Sequence, residues 1–380
     1  MKRFLLGALC LSVVLTLQSS SQTIDDLNLQ IHGYATQGFL YTTHNDAFYA
    51  ATTNGSPAWT EAVVNMTVQP KSGLSVGVQA RYQLLGTSGN SITLDWAAAD
   101  YRVNDNFGVR VGKVKTPWGL LNETQDIDPS YMWALLPQSV YDLTTRNADL
   151  SHYGAIAYGD FGLGVRGGKL EYRIWGGEQV VPADDGQFDD LNNSGNGPTG
   201  PLNYSTIGGA LRWRTPLRGL MFGASNAKEN QATAQLHGGT EYFAPWNNLS
   251  WFGRFDRGKW MLGSEWNRQA SAATLRITGL QPAASDSDAR GWFVMASYKL
   301  RDKYSLGAYR SEYFDKQAEL GPDRYSKDWT ASFRCDLNQY LYLKAEQHFV
   351  KGTALSVDSL HNPDPRPDFL LTALKLGVSF

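Results

Sequence analysis

The chain ends on LTALKLGVSF, where every second residue is apolar: Leu374, Leu376, Val378 and Phe380, with Ala373, Lys375, Gly377 and Ser379 interleaved. Successive side chains of a strand point to opposite faces, whereas a helix needs apolar residues three and four apart. This is therefore a strand with one greasy face and one small, polar or cationic face. The same period recurs along the chain and predicts sixteen strands, at 27–41, 61–69, 74–84, 92–103, 107–116, 152–163, 170–176, 206–215, 220–227, 249–255, 260–268, 292–300, 304–313, 327–335, 340–350 and 369–380. No linker, composition break or helical period of any length interrupts them.

The connections alternate in length. Those at 70–73, 104–106, 165–169, 216–219, 256–259, 301–303 and 336–339 are short and use Gly, Asn, Asp and Pro, the residues of tight turns. Those at 42–60, 117–151, 177–205, 228–248, 269–291, 314–326 and 351–368 are long and mostly polar, and only 85–91 on that side is brief. A soluble sandwich gives no reason for this alternation. An outer-membrane barrel does, with short turns at one end and long loops at the other. Segments of about ten residues match a tilted strand crossing a bilayer. Backbone groups in lipid must all be paired, which forces the sheet to close.

The expected fold is all-β: a 16-stranded antiparallel transmembrane β-barrel with short periplasmic turns, long extracellular loops and an inward-folded third loop. Expected lipid-facing sets are Leu74, Val76, Val78, Ala80 and Tyr82, then Leu211 and Trp213, then Leu341, Leu343, Ala345 and Phe349. Phe107, Trp260, Trp266, Trp292, Tyr304, Tyr313, Trp329 and Tyr340 gather near segment ends, as interfacial aromatic girdles do.

The first residues add a destination. Lys2 and Arg3, an apolar run over 4–17, then Ser19 and Ser21 read as a signal peptide over 1–21, leaving 22–380 as the barrel. Cys10 raises a lipoprotein signal, but Leu9 stands where a small residue is needed. Cys335 is the one mature cysteine, so neither a disulfide framework nor a cysteine-rich metal site is expected. It falls on the lipid face. A net charge of −2 supplies no bulk field for nucleic acid. The six histidines show no metal spacing, and no metal or cofactor is expected. Asp184, Asp185, Asp189 and Asp190 do not follow the EF-hand order. Ser151 and His152 point to opposite faces of a strand, which argues against a nucleophile and base.

The third long connection, 117–151, is the longest and carries Trp118, Leu120, Leu121, Met132, Trp133, Leu135 and Leu136. A free surface loop has no use for that many apolar groups; folded into the lumen it buries them and narrows the pore. Pro117 ends the preceding strand by removing a ladder donor. Alternation places Arg81, Arg110, Arg173, Arg212, Arg214, Arg254, Arg310, Arg334, Lys344 and Lys375 inside, against fewer wall acids, Glu61, Glu171, Glu265 and Glu346. The loop supplies Glu123, Asp126, Asp128 and Asp142. A basic wall facing an acidic loop would set a transverse field, and an arginine excess would favour anions. The alternative is that these arginines only pair with neighbouring acids. Lys113 and Lys115 fall on the other face, touching lipopolysaccharide or turning inward; both readings stay open.

Residues 110–141 read RVGKVKTPWGLLNETQDIDPSYMWALLPQSVY. The pieces VGKVKTPWGL, NETQDI and LLPQSVY resemble the Gram-negative porins of the DcaP type and, more loosely, the phosphate-selective porins. IHGYA at 31–35, YGAIAYGDFGLG at 153–164 and the terminal Phe380 support the likeness, which covers the mature chain in layout and is motif-strong from 110 to 164. Some members carry an N-terminal coiled coil, and here only about five mature residues precede the first strand. The resemblance implies a homotrimeric channel for small anionic solutes, constricted by its third loop, with Phe380 similar to the signal read by the barrel-assembly machinery. The expected function is passive diffusion of small hydrophilic solutes with a preference for dicarboxylate- or phosphate-like anions, not an enzyme activity. Outer-membrane lipid and lipopolysaccharide are the expected surroundings. A non-conducting barrel acting as an adhesin and a barrel hydrolase are the alternatives.

Overall fold

The computed structural model describes residues 28–188, 191–192, 194–230, 232–243, 246–284, 286–357 and 361–380. The expected signal peptide lies outside the described residues, as do Asp189 and Asp190. Twenty strands follow in chain order: β1 (Gln30–Thr42), β2 (Ser56–Lys71), β3 (Leu74–Leu85), β4 (Ser88–Asn104), β5 (Phe107–Lys115), β6 (Ser151–Gly162), β7 (Lys169–Val181), β8 (Leu202–Arg214), β9 (Leu220–Glu229), β10 (Ala232–Leu236), β11 (Gly239–Phe243), β12 (Trp246–Arg257), β13 (Trp260–Ser271), β14 (Ala273–Ile277), β15 (Ala283–Ala284), β16 (Ser287–Arg301), β17 (Tyr304–Asp315), β18 (Tyr325–Asp336), β19 (Leu341–Lys351) and β20 (Asp368–Ser379).

Sixteen of them close into one antiparallel barrel in which each strand pairs with its neighbours in chain order. The seam joins β1 to β20, from Tyr34 opposite Ser379 to Thr42 opposite Leu371, and the amides of Gly33 and Phe380 exchange hydrogen bonds at its end. No barrel strand has a free edge, as lipid requires. At the short-turn end two-residue turns follow β2, β4, β12 and β16, and at the other end residues 86–87 make one between β3 and β4. Gly73 and Gly258 take positive φ in the first and third of these, a conformation that tight turns assign to glycine.

The remaining four strands correct the reading of 228–248 and 269–291 as plain loops. β10, β11, β14 and β15 form a separate sheet, with β11 pairing β14 just as β12 pairs β13 below. Ala232, Ala234 and Leu236 alternate in burial and pack with Val181, Phe188 and Leu202. Runs of five residues or fewer are too short to stand out against the barrel strands.

Alternation sorts the barrel's faces as expected: Val76, Val78, Leu211, Trp213, Leu374, Leu376 and Val378 are exposed, while Arg81, Lys344 and Lys375 are buried. Phe107, Trp260, Tyr304, Trp329 and Tyr340 are exposed near strand ends. Tyr313 departs from the girdle, because it alternates with the inward, buried Tyr309 and Ser311.

The barrel interior is built around residues 116–150, the connection from β5 to β6. Trp118, Leu121, Met132, Trp133, Val140 and Tyr141 pack against the inward-facing Ile156, Trp175, Phe293, Met295 and Tyr309. Ala134 and Leu135 meet Leu40, Trp59, Leu371 and Ala373 on the opposite wall. Two wall glycines make this approach possible. A Cβ on Gly291 would lie 1.8 Å from the Ser139 carbonyl oxygen, and one on Gly307 would lie 2.5 Å from Met132 Sδ.

Candidate functional site

The loop is tied at its base. Thr116 N–H donates to the Leu150 carbonyl at 2.9 Å, and Asn122 Nδ2 donates to the carbonyls of Thr116 and Asp149 at 2.8 and 3.0 Å. A single helical turn, α1 (Arg146–Asp149), returns the chain to β6, with Arg146 forked onto Asp95 of β4 at 2.9 and 3.1 Å. A planar guanidinium and a carboxylate make this two-bond geometry specific.

Across the lumen the loop meets most of the wall. Asp128, the first residue of a short turn that Pro129 continues, is the main anchor: its carboxylate accepts from Lys344 at 2.8 Å, Lys375 at 2.9 Å and Tyr342 Oη at 2.8 Å. The same lysines also donate to the carbonyls of Trp133 and Ala134, both at 2.9 Å. Asp126 pairs with Lys115 at 2.6 Å and accepts from Gln79 at 2.7 Å. Glu123 pairs with Arg212 at 3.0 Å and Arg173 at 3.4 Å. Wall acids hold loop amides in return. Glu265 accepts from Leu120 N–H at 3.0 Å and Tyr141 Oη at 2.5 Å, and Glu346 accepts from Leu135 N–H at 2.9 Å.

These contacts revise the expected electrostatics. A basic wall does not face an acidic loop across open space; the two are in contact. Lys344 and Arg81, expected to line the pore, are 0% and 1% exposed, because Lys344 is spent on Asp128 and Arg81 on Glu61 at 2.5 Å and Asn147. Lys375 is buried in the same way. Asp142 pairs with no wall cation among the described residues: it accepts from Thr144 N–H and Oγ1, both at 2.8 Å, in a local turn. Arg310 points outward. Its guanidinium lies 5.3 Å from the Trp329 ring and pairs with Glu312, because the inward positions of β17 are Tyr309 and Ser311. An arginine held on an aromatic face and paired with a carboxylate is stabilised on an outward face.

The other cations do face the lumen. Arg110 pairs with Asp100 at 2.8 Å, Arg214 with Glu171, Arg254 with Asp256 at 2.7 Å and Arg334 with Asp336 at 2.8 Å. Arg334 also donates to the carbonyls of Pro129 and Tyr131. Arg214 is the most open of them, its side chain 59% exposed. Lys113 lies against the exposed Tyr153 ring, outside, whereas Lys115 turns inward to Asp126. Lys299, not anticipated from sequence, lines the lumen, is exposed and makes no ion pair among the described residues. Its alternation with Met295 and Ser297 was the available signal. Ser151 Oγ donates to the Asp95 carbonyl and His152 pairs with Thr116, so the two do not act on each other.

Burial alone would raise the carboxyls of Glu123 and Asp128. Arg212 and Arg173, with smaller contributions from Arg110 and Lys115, hold Glu123 below its ordinary value instead, and Lys344 and Lys375 do the same for Asp128. A carboxylate with a depressed folded-state value contributes attachment that is complete above its unfolded value near 4 and lost as pH falls through the depressed one. The loop is therefore expected to stay attached through these pairs between about pH 5 and 8 and to loosen only well below about pH 4. Single-channel conductance against pH checks this; loosening at neutral pH on protonation of these acids contradicts it.

The loop leaves cavities on both of its sides. Towards the short turns lie one of about 460 Å³, beside β12, β13 and β16–β18, and another of about 320 Å³, beside Asp100, Arg110 and Glu123. Towards the long loops lie smaller spaces of about 140 and 50 Å³. Tyr131 and Trp133 line both the cavity of about 460 Å³ and that of about 50 Å³, and the Tyr131 hydroxyl is hydrogen-bonded to Thr124.

No protein-family model and no curated protein sequence matches the chain. Solved structures do match its fold. OmpF of Salmonella typhi, in complex with daunomycin, superposes with a TM-score of 0.61 at 13% identity, over 94% of this chain and 99% of that one. The outer membrane channel DcaP of Acinetobacter baumannii gives 0.58 at 10% identity, over 94% and 99%. OmpT, an outer membrane protein of Vibrio cholerae, gives 0.55 in its trimer form at 10% identity, over 93% and 99%. The chain has the fold of Gram-negative outer-membrane porins.

Proposed function

We propose that the protein is an outer-membrane porin, a passive channel for small hydrophilic solutes that favours anions. The observation that carries this reading is a closed 16-stranded barrel, apolar outside, whose lumen is narrowed by an anchored third loop and lined by more cations than acids at the short-turn end. Rings of Arg and Lys select anions at such a passage. In this reading residues 1–21 are removed on export, the short turns are periplasmic, and Phe380, exposed beside Gly33, is the end presented to the barrel-assembly machinery.

A homotrimer accords with two polar pairs on the outward face around the seam. Gln37 meets Thr60 at 2.8 Å on β1 and β2, and Thr372 meets Gln347 at 2.8 Å on β20 and β19. Amides are costly against lipid and suit a subunit contact.

The test is planar-bilayer recording in a KCl gradient. The wild type is expected to give unitary steps and a reversal potential displaced towards chloride. Arg110→Ser with Arg214→Ser, which removes two open lumen charges away from the Asp128 anchor, is expected to bring that potential closer to zero. Absence of unitary steps rejects the channel; an unmoved potential rejects these two arginines as the source of selectivity.

A further inference from the structure

We propose that the cavity of about 460 Å³ on the short-turn side of the loop is a binding site for an amphipathic monoanion, a carboxylate carrying an apolar body the size of a benzyl group. This rests on the channel reading and narrows its solute class. Two features of the cavity carry it.

The first is charge. Arg254, Lys299 and Arg334 line the cavity with Asp256 and Asp336, which leaves one cation in excess. Arg254 and Arg334 each hold one of the two acids, so Lys299 is the cation without a carboxylate partner among the described residues. Its exposed ammonium is the natural seat for an incoming carboxylate.

The second is apolar surface where a barrel lumen is ordinarily polar. Met261 and Met295 face inward from β13 and β16, and Leu120 and Met132 face them from the loop. The patch is packed: a Cβ on Gly263 would lie 3.2 Å from Met295 and 3.6 Å from Leu120. Thioethers are polarizable and flexible, and they adapt to a flat ring or a short chain. Cation and apolar patch line one space large enough for a small organic acid with water. A dicarboxylate is disfavoured, because its second charge would have to be desolvated against methionine and leucine.

The experiment uses the full-length protein in planar bilayers in KCl, with propionate, succinate or 3-phenylpropionate added to both chambers. 3-Phenylpropionate is expected to half-block the chloride current at roughly tenfold lower concentration than propionate. Succinate is expected to do no better than propionate. Lys299→Gln, on an exposed side chain, should weaken block by all three acids. Met261→Gln should bring 3-phenylpropionate back to the level of propionate alone. Equal half-blocking concentrations for the three acids, or no response to Met261→Gln, overturns the site. Should the protein not conduct, the channel reading fails separately. Calorimetric titration of the detergent-solubilised protein then decides the site. The same preference for 3-phenylpropionate and the same dependence on Lys299 and Met261 support it, and their absence overturns it.

Discussion

Asp128→Asn is expected to raise single-channel conductance several-fold and to lower the thermal unfolding temperature of the barrel. Asp128 is the carboxylate that Lys344 and Lys375 share. Both lysines are buried, and the substitution leaves two ammonium groups inside the lumen wall facing a neutral amide. Removing one partner of a buried ion pair costs about 3–5 kcal/mol, since the other charge stays desolvated and unpaired. The cheapest relief is for the lysines to reach water. To do so they must release the carbonyls of Trp133 and Ala134, and with them the segment that closes the lumen beside β19 and β20. Recording and thermal circular dichroism in detergent check both effects. Unchanged conductance would mean that Glu265 and Glu346 hold the loop without this anchor.

Gly291→Val is expected to act in the opposite direction on the current, reducing conductance while also destabilising the barrel. The obstacle is backbone: the added Cβ would meet the Ser139 carbonyl oxygen at 1.8 Å, so no rotamer change on the loop relieves it. The loop must leave β16 and give up the bond from Ser139 Oγ to the Trp292 carbonyl at 3.0 Å. It stays anchored elsewhere by Asp128, so it shifts into the remaining lumen. Overpacking of this kind costs about 1–3 kcal/mol. Ser139→Gly in the same chain should not restore conductance, because it leaves the clashing carbonyl in place; restoration would show that the side chain was the obstacle.

The two substitutions separate what could be read early from what could not. The weight of apolar residues in 117–151 already placed that loop inside the barrel, and the clusters around Trp118 and Trp133 bear this out. Nothing local to Asp128 announces Lys344 and Lys375, more than two hundred residues away. Arg310 shows a different failure. It was expected inside, yet the even positions of β17, Tyr304, Leu306 and Ala308, share its face and point outward, while Tyr309 and Ser311 point in. Its partner, the Trp329 ring, belongs to the next strand.

By itself the sequence determined the number of staves, their antiparallel order, which end carries turns and which carries loops, and the face of most wall residues, Arg310 and Tyr313 being exceptions. Those properties follow from a two-residue period and from turn chemistry, both of which act within a few neighbours along the chain. Only the tertiary structure decided which lumen charges are spent and which remain for a solute. That depends on distances between residues remote in sequence, and a lysine sealed against a loop carboxylate and a lysine open to water look alike until those distances are known.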